Sequence, residues 1–117
     1  MKRVILDEGV PRQVGDHLPG YAVSTVPGEG WGSVKNGKLL ALIEEAGFDA
    51  FITADKNLED QQDLRGRPFA ILVLSTNHWP SMKTHVERIS SALDRWEAGT
   101  IVKVDCGSFV PRRLRNR

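Results

Sequence analysis

The stretch from Asp49 to Asn57 reads DAFITADKN, and the fold predicted for this 117-residue chain rests on it. Its apolar residues, Ala50 to Ile52, form a short run between polar residues. Such a run is typical of a strand that is buried on both faces of a parallel sheet. Asp55 follows the end of this predicted strand, and open α/β sheets bind their ligands at the carboxyl ends of the strands. The stretch therefore predicts both a parallel sheet and a carboxylate at its functional edge.

The chain begins with the same pattern. The apolar run from Val4 to Leu6 predicts a first strand, and Asp7 and Glu8 follow its end. A proline comes next at position 11, and proline suits the first turn of a helix because its missing N–H would have no partner there. Asp49, in contrast, lies at the opening end of its strand, about 20 Å from Asp55 by strand rise. We therefore expect two strand ends to deliver acids and do not expect Asp49 to join them.

Strand and helix patterns alternate along the rest of the chain. Val10, Val14 and Leu18 are spaced four apart and predict a short helix after Pro11. Asn36 is predicted as the N-cap of a second helix, which ends at Gly47. Further helices are expected over 57–64 and 81–97, and strands over 3–6, 21–26, 50–53, 69–74 and 100–104.

This alternation predicts an α/β fold, namely a three-layer α/β/α sandwich with a five-stranded parallel sheet. Right-handed crossovers limit the topology to a few strand orders. We favour the order 2-1-3-4-5 over 3-2-1-4-5, because only the first places Asp7 and Asp55 on neighbouring strands, about 5 Å apart in backbone spacing. Residues 1–106 are expected to form the domain, and residues 107–117 a basic tail.

Composition narrows the function classes. The net charge is +1, so the chain as a whole is not an electrostatic binder of nucleic acid, although four arginines fall between Arg112 and Arg117. The single cysteine, Cys106, excludes an intramolecular disulfide and a cysteine-based zinc site. No P-loop or dinucleotide-binding glycine motif is present. No signal peptide is visible and no apolar run reaches the ~20 residues that span a membrane, so we expect a cytoplasmic protein without a membrane partner.

The acids Asp7, Glu8 and Asp55 form the first candidate site. Clustered carboxylates repel each other, and a hard cation such as Mg²⁺ or Mn²⁺ prefers oxygen ligands of this kind. A bound ion of this type polarises a phosphodiester and activates a water. The alternative is that Asp7 and Asp55 only cap the helices that follow them, since aspartate is common in strand-to-helix turns.

Two further groups of side chains are predicted near the same edge of the sheet. One is rich in amides and hydroxyls, which orient waters or phosphate oxygens or, alternatively, stabilise turns. The other combines cations with aromatic rings, as single-stranded nucleic-acid sites do, although a solvated surface with core tryptophans gives the same pattern. The first group contains Asn36, Thr53, Asn57, Gln61, Gln62, Thr76 and Asn77, and the second contains Trp31, Lys35, Lys38, Lys56, His78 and Trp79.

With these motifs in view, the chain resembles small PIN-like proteins. The resemblance rests on Asp7-Glu8-Gly9-Val10-Pro11, on the loop around Trp31 with Asn36-Gly37, and on the stretch from Phe51 to Leu58. It covers residues 1 to about 104 and leaves out the tail. It implies an α/β/α sandwich, a ribonuclease that depends on Mg²⁺ or Mn²⁺, and in bacteria frequent service as the toxin of a toxin–antitoxin pair.

The resemblance also implies roles for particular residues. Asp7 and Asp55 match the metal-binding acids, and Glu8 and Asn57 match further catalytic positions. RNA contacts are expected from Trp31, Lys35, Asn36 and Lys56. The expected partners are RNA, an antitoxin protein and a second copy of the chain. The sequence departs from the family pattern at the second helix, where Lys38 stands near the position at which related patterns carry an acid.

Two other interpretations remain open. The chain is alternatively a non-catalytic protein that binds a protein partner or RNA through the loop from Gly28 to Trp31 or through the arginine-rich tail. A third interpretation is a flavodoxin- or receiver-like phosphoacceptor that uses Asp55. That class requires a lysine at the end of the last strand, where the sequence has no clear equivalent, although Lys103 lies nearby.

Overall fold

The structure is a computed structural model that describes residues 2–58, 66–95 and 97–107. Within them, five parallel strands form one sheet in the order β2-β1-β3-β4-β5. The strands are β1 (Lys2–Leu6), β2 (Tyr21–Thr25), β3 (Ala50–Thr53), β4 (Ala70–Leu74) and β5 (Ile101–Val104). The predicted parallel sheet and its strand order are confirmed.

Helices lie in the connections from β1 to β2, from β2 to β3 and from β4 to β5, as the alternating pattern predicts, whereas residues 59–65 of the connection from β3 to β4 lie outside the described residues. The first connection holds a 3₁₀ helix (Arg12–His17) where the sequence predicts a short helix. The others are α1 (Asn36–Ala46), α2 (Trp79–Met82) and α3 (Val86–Asp94). The stripe of valine and leucine predicted for the first helix is buried, with Val10 4%, Val14 0% and Leu18 1% exposed.

A separate apolar core lies on each face of the sheet, because successive side chains of a strand point to opposite sides. One core joins Val4, Leu6 and Ile52 to the 3₁₀ helix, α2 and α3. The other joins Ile5 and Phe51 to α1, which buries Leu39, Leu40 and Ile43. Burying each such side chain contributes about 1.5–3 kcal/mol. The two cores define the three-layer α/β/α sandwich.

The beginning of α1 differs from the prediction. Lys35, and not Asn36, is the N-cap residue, and it makes no side-chain capping bond. Asn36 is the first residue inside the helix, and its side-chain amide reaches Asp55 instead. The predicted end is confirmed: Gly47 takes a left-handed conformation with φ of 79°, which glycine adopts without the steric cost that a Cβ brings.

The predicted long helix over 81–97 is wrong, because two shorter helices, α2 and α3, replace it. The first begins at Trp79, before Ser81, since Pro80 fits a first helical turn that needs no N–H from it. His85, the last residue before α3, is not helical, since its φ is −124° and its ψ is 12°. Met82, Ile89 and Leu93 of the predicted stripe are buried.

Some predictions fall outside the described residues. The helix expected over 57–64 lies there beyond Leu58, as do Gln61, Gln62, Trp96 and the basic tail from residue 108 onward. Among the residues that the structure does describe, no helix is both long and apolar enough to cross a membrane.

Candidate active site

The sheet register brings the first acid to the end of β3. Leu6 of β1 pairs with Ile52 of β3, and the N–H of Asp7 donates to the carbonyl oxygen of Ile52 at 2.9 Å. Asp7 therefore leaves β1 beside Thr53, the last residue of β3. Since β1 and β3 are neighbours in the sheet, Asp7 and Asp55 lie at the same carboxyl edge, as the predicted strand order requires.

The hydroxyl of Thr53 connects the two acids. It donates to Oδ2 of Asp7 at 2.7 Å and accepts the backbone N–H of Asp55 at 3.0 Å. Thr53 is 0% exposed, and among the described residues it is the one polar residue that is buried. A buried hydroxyl is tolerated when both its donor and its acceptor capacity are used. The Thr53 side chain thus fixes the Asp7 carboxylate and the Asp55 backbone relative to each other.

Two asparagines orient the carboxylate of Asp55. The backbone N–H of Asn57 donates to Oδ1 at 3.0 Å, and the side-chain amide of Asn36 donates to Oδ2 at 3.3 Å. The first bond closes a turn in which an aspartate side chain binds the backbone two residues on. The second ties the first residue of α1 to the end of β3. Asp55 is half-buried and Asn57 is exposed.

Glu8 accepts a hydrogen bond from the loop between β2 and α1. Its carboxylate Oε1 accepts the N–H of Ser33 at 3.3 Å, while its own N–H donates to Oδ1 of Asp7 at 2.9 Å. Ser33 has a positive φ of 70°, which costs a residue with a Cβ on the order of 1 kcal/mol. Sequence reasoning missed Ser33, because its contribution is a backbone N–H. The neighbouring glycines were the only local signal of unusual backbone geometry.

The predicted RNA-binding residues differ in position and exposure. Lys35 precedes Asn36 and is exposed, as is Lys56 after Asp55. Trp31 is half-buried and packs edge-on against Phe48, with ring centroids 6.2 Å apart and an interplanar angle of 83°. Its ring therefore closes one end of the core under α1 while part of it remains accessible.

The other aromatic and imidazole groups of the predicted basic set make local contacts. The Trp79 ring lies 5.5 Å from the His17 ring and packs against the core opposite α1. Nδ1 of His78 lies 2.9 Å from the hydroxyl oxygen of Ser81. Trp79 is therefore partly buried against the core, which is closer to the alternative interpretation of this set than to an exposed nucleic-acid contact.

The oxygen donors fit a hard cation only when water or substrate completes its coordination. Across residues 2–58, 66–95 and 97–107, no group of three or more His, Cys, Asp or Glu side chains is placed to hold a metal ion. Lys38 on α1 is an exposed cation, so this position adds no carboxylate to the site. Each oxygen of Asp7 and Asp55 accepts one hydrogen bond, whereas a carboxylate offers about four acceptor positions. The pair thus keeps capacity for a cation such as Mg²⁺, which is often bound through one or two carboxylates.

The fold and this site define an α/β protein with a pair of aspartates at the carboxyl edge of a parallel sheet. A scan of protein-family models finds no match to the chain, and searches of curated proteins and of solved structures find none either. The resemblance to PIN-like proteins therefore stays a prediction.

Proposed function

We propose that this protein is a metal-dependent ribonuclease of the PIN-like class. One observation carries the proposal: the aspartates that follow two neighbouring strands are joined through a single buried hydroxyl, that of Thr53. Aspartates that only cap helices need no shared partner, whereas the Thr53 hydroxyl is shared by the Asp7 carboxylate and the Asp55 backbone N–H. The resemblance of the motifs around both residues adds to this argument.

The proposed metal ligands are Asp7 and Asp55. The ion is Mg²⁺ or Mn²⁺, and when bound it polarises a phosphodiester and activates a water. Two carboxylates are enough for Mg²⁺ when waters and substrate phosphate oxygens fill the other positions. Thr53 holds the two acids in register, and Asn36 keeps the Asp55 carboxylate turned toward α1.

The remaining residues bind and orient the RNA. Glu8, held against Ser33 at the mouth of the site, accepts a hydrogen bond from a water or a ribose hydroxyl. Asn57 fixes Asp55 through its backbone N–H. Lys35 and Lys56 attract the phosphate backbone, because both are exposed cations next to the acids. The accessible part of the Trp31 ring offers a surface on which a base stacks.

RNA cleavage tests this assignment. The wild type, Asp7→Asn and Asp16→Asn are incubated with single-stranded RNA and Mn²⁺, and the products are separated by size. Asp16 is an exposed aspartate of the 3₁₀ helix and serves as the matched control. We expect the wild type and Asp16→Asn to cleave and Asp7→Asn to lose cleavage. Equal activity of Asp7→Asn and the wild type would remove the assignment.

The biological role proposed with this activity is that of the toxin in a toxin–antitoxin pair. An antitoxin and a second copy of the chain are the proposed protein partners. Expression of the wild type in bacteria is expected to slow growth, and expression of Asp7→Asn is not. If the purified wild type cleaves RNA but neither the wild type nor Asp7→Asn slows growth when expressed, the toxin role fails while the ribonuclease proposal stands.

A second candidate is a non-catalytic protein that binds RNA or a protein partner. The small number of acids favours it, since the described residues lack a cluster of three metal-ligating side chains and Lys38 stands where related patterns carry an acid. The loop from Gly28 to Trp31 is the proposed contact surface, because its glycines are exposed. RNA binding without cleavage, together with no binding of millimolar Mn²⁺, would favour this candidate.

A further inference from the structure

Strand β2 forms one edge of the sheet, and a single printed bond fixes which of its backbone groups face inward. β2 stands at the end of the strand order and pairs in parallel with β1. The N–H of Val26, just past β2, donates to the carbonyl oxygen of Leu6 at 2.9 Å. Because the backbone groups of successive strand residues point alternately to the two sides, those of Ala22 and Ser24 also face β1. The groups of the remaining β2 residues point away from the sheet.

The outward groups belong to Tyr21, Val23 and Thr25, and some of them already have partners. The Tyr21 N–H donates to the carbonyl oxygen of Leu18 at 3.1 Å, and the Thr25 carbonyl oxygen accepts the N–H of Glu29 at 3.0 Å. Within the part of the chain that the structure describes, the Tyr21 carbonyl, both backbone groups of Val23 and the Thr25 N–H have no hydrogen-bond partner. β2 therefore offers a short row of unpaired groups to another strand.

β2 lacks the residues with which proteins usually protect such an edge. Charged side chains, above all lysine, and proline discourage an edge strand from pairing with another chain, and the sequence YAVST of β2 contains none of them. The opposite edge strand, β5, carries Lys103 among its four residues. Ala22 is exposed, and its methyl group is too small to cover the edge. Of the two edges, β2 is thus the one suited to pairing.

We infer that β2 pairs antiparallel with β2 of a second copy of this chain, around a twofold axis at Val23. In this register the Val23 residues of the two copies face each other and exchange both of their backbone hydrogen bonds. The Thr25 N–H of each copy donates to the Tyr21 carbonyl of the other. The pairing uses the groups that are free and leaves out the Tyr21 N–H and the Thr25 carbonyl, whose partners lie in their own copy. This self-complementarity is what a twofold interface requires, and it favours a second copy over a foreign strand.

The side chains and the charge of the protein are compatible with this dimer. Ala22 of one copy lies opposite Ser24 of the other, so no like charges oppose each other across the contact. The net charge of +1 leaves little repulsion between two copies. Antiparallel pairing turns the carboxyl edges of the two sheets in opposite directions, which leaves both acid pairs open. The inference gives a contact surface to the second copy proposed above and does not rest on ribonuclease activity.

Amide hydrogen exchange tests the pairing in the unmodified chain. Two five-residue strands bury little surface between them, so we expect a weak dimer that forms as the protein concentration rises. The Val23 and Thr25 amides, followed by NMR, are expected to exchange about tenfold or more slowly at high than at low concentration. The Ala22 and Ser24 amides are the internal control, because they bond to β1 at every concentration. Exchange of Val23 and Thr25 that does not depend on concentration would overturn the inference and leave the edge to another partner.

Charged variants locate the contact and its register, with sedimentation equilibrium as the measure of the dimer dissociation constant. Ala22→Lys combined with Ser24→Lys places lysines opposite each other and is expected to raise this constant by about tenfold. Mixing that chain with one carrying Ala22→Glu and Ser24→Glu is expected to restore association, because each lysine then faces a glutamate. Val102→Lys is the control, since Val102 is a 37% exposed residue of the other edge strand, β5.

Wild-type association of the lysine chain, no association in the mixture, or an equal loss in Val102→Lys would each overturn the inference. Circular dichroism checks that the variants fold, and if the lysine chain does not, exchange in the unmodified chain still decides. The result is separable from that of the cleavage experiment. A monomer that cleaves RNA contradicts the dimer alone, whereas a dimer that does not cleave RNA supports the pairing and contradicts the ribonuclease proposal.

Discussion

At the scale of single residues, Thr53 connects the two aspartates of the candidate site. Its hydroxyl is completely buried and joins Asp7 to the backbone of Asp55. The sequence indicated only that Thr53 stands near the acids within a polar group. Its role as a bridge depends on the strand register, which a sequence pattern does not supply.

Thr53→Val is expected to destabilise the fold by about 1–3 kcal/mol, because it leaves the Asp55 N–H and one Asp7 oxygen without their partner while keeping the shape of the side chain. Chemical denaturation gives the free energy of unfolding. Thr53→Ser is the control, since it retains the hydroxyl. A Val variant as stable as the Ser variant would show that the bridge contributes nothing to stability.

We expect the stability of the fold to depend on pH through Tyr21, the single tyrosine of the chain. Burial, together with the hydrogen bond that the Tyr21 hydroxyl donates to Asp94 at 2.8 Å and the charge of that carboxylate, raises the pKa of Tyr21 from 10.0 to about 12. The stabilisation is complete below pH 10, the unfolded pKa, and is lost as the pH rises toward 12.

Spectrophotometric titration measures this pKa directly, since the chain contains one tyrosine. Denaturation between pH 9 and 12 is expected to show a steeper loss of stability in the wild type than in Tyr21→Phe, with the two values converging at the upper end. Parallel pH profiles for the two proteins would contradict the assigned environment.

At the scale of the elements, the sequence predicts the strands well and the helix boundaries less well. A buried parallel strand is a continuous apolar run between polar residues, and β3 and β4 show this pattern without ambiguity. The interruption between α2 and α3 left no such signal, because the apolar spacing from Met82 to Leu93 continues across it. The amide of Asn36 was assigned to capping because the pattern did not reveal Asp55 as a competing partner.

Gly47 ends α1 in a left-handed conformation, and its replacement tests how much that conformation depends on glycine. Gly47→Ala is expected to lower the free energy of unfolding by about 1–2 kcal/mol, because its φ of 79° brings a Cβ too close to the following carbonyl oxygen. Open space does not remove this strain: the nearest atom to an added Cβ is 3.6 Å away, an ordinary contact.

Gly20→Ala is the control for this variant, since no atom lies within 4 Å of its added Cβ and its φ is not positive. It is expected to leave stability unchanged or slightly raised, as alanine restricts the unfolded chain. Equal stability of the two alanine variants would contradict the role assigned to Gly47.

At the scale of the whole molecule, the position of the candidate site follows from strand order. The choice of 2-1-3-4-5 places β1 beside β3, and that adjacency alone brings Asp7 to Thr53 and Asp55. The sequence predicted this arrangement from the acids at two strand ends. It did not predict the cavity at the carboxyl ends of β4 and β5, which Lys56, Leu74 and Val104 help to line.

The two aspartates are proposed to bind a divalent cation together, and calorimetric titration with Mn²⁺ measures this binding without RNA. Wild type, Asp7→Asn, Asp55→Asn and the Asp16→Asn control are compared, after circular dichroism has shown that all four are folded. We expect Asp7→Asn and Asp55→Asn each to lose affinity by about tenfold or more, and the control to match the wild type. Unchanged Mn²⁺ affinity in both site variants, or no binding by the wild type, would contradict the claim.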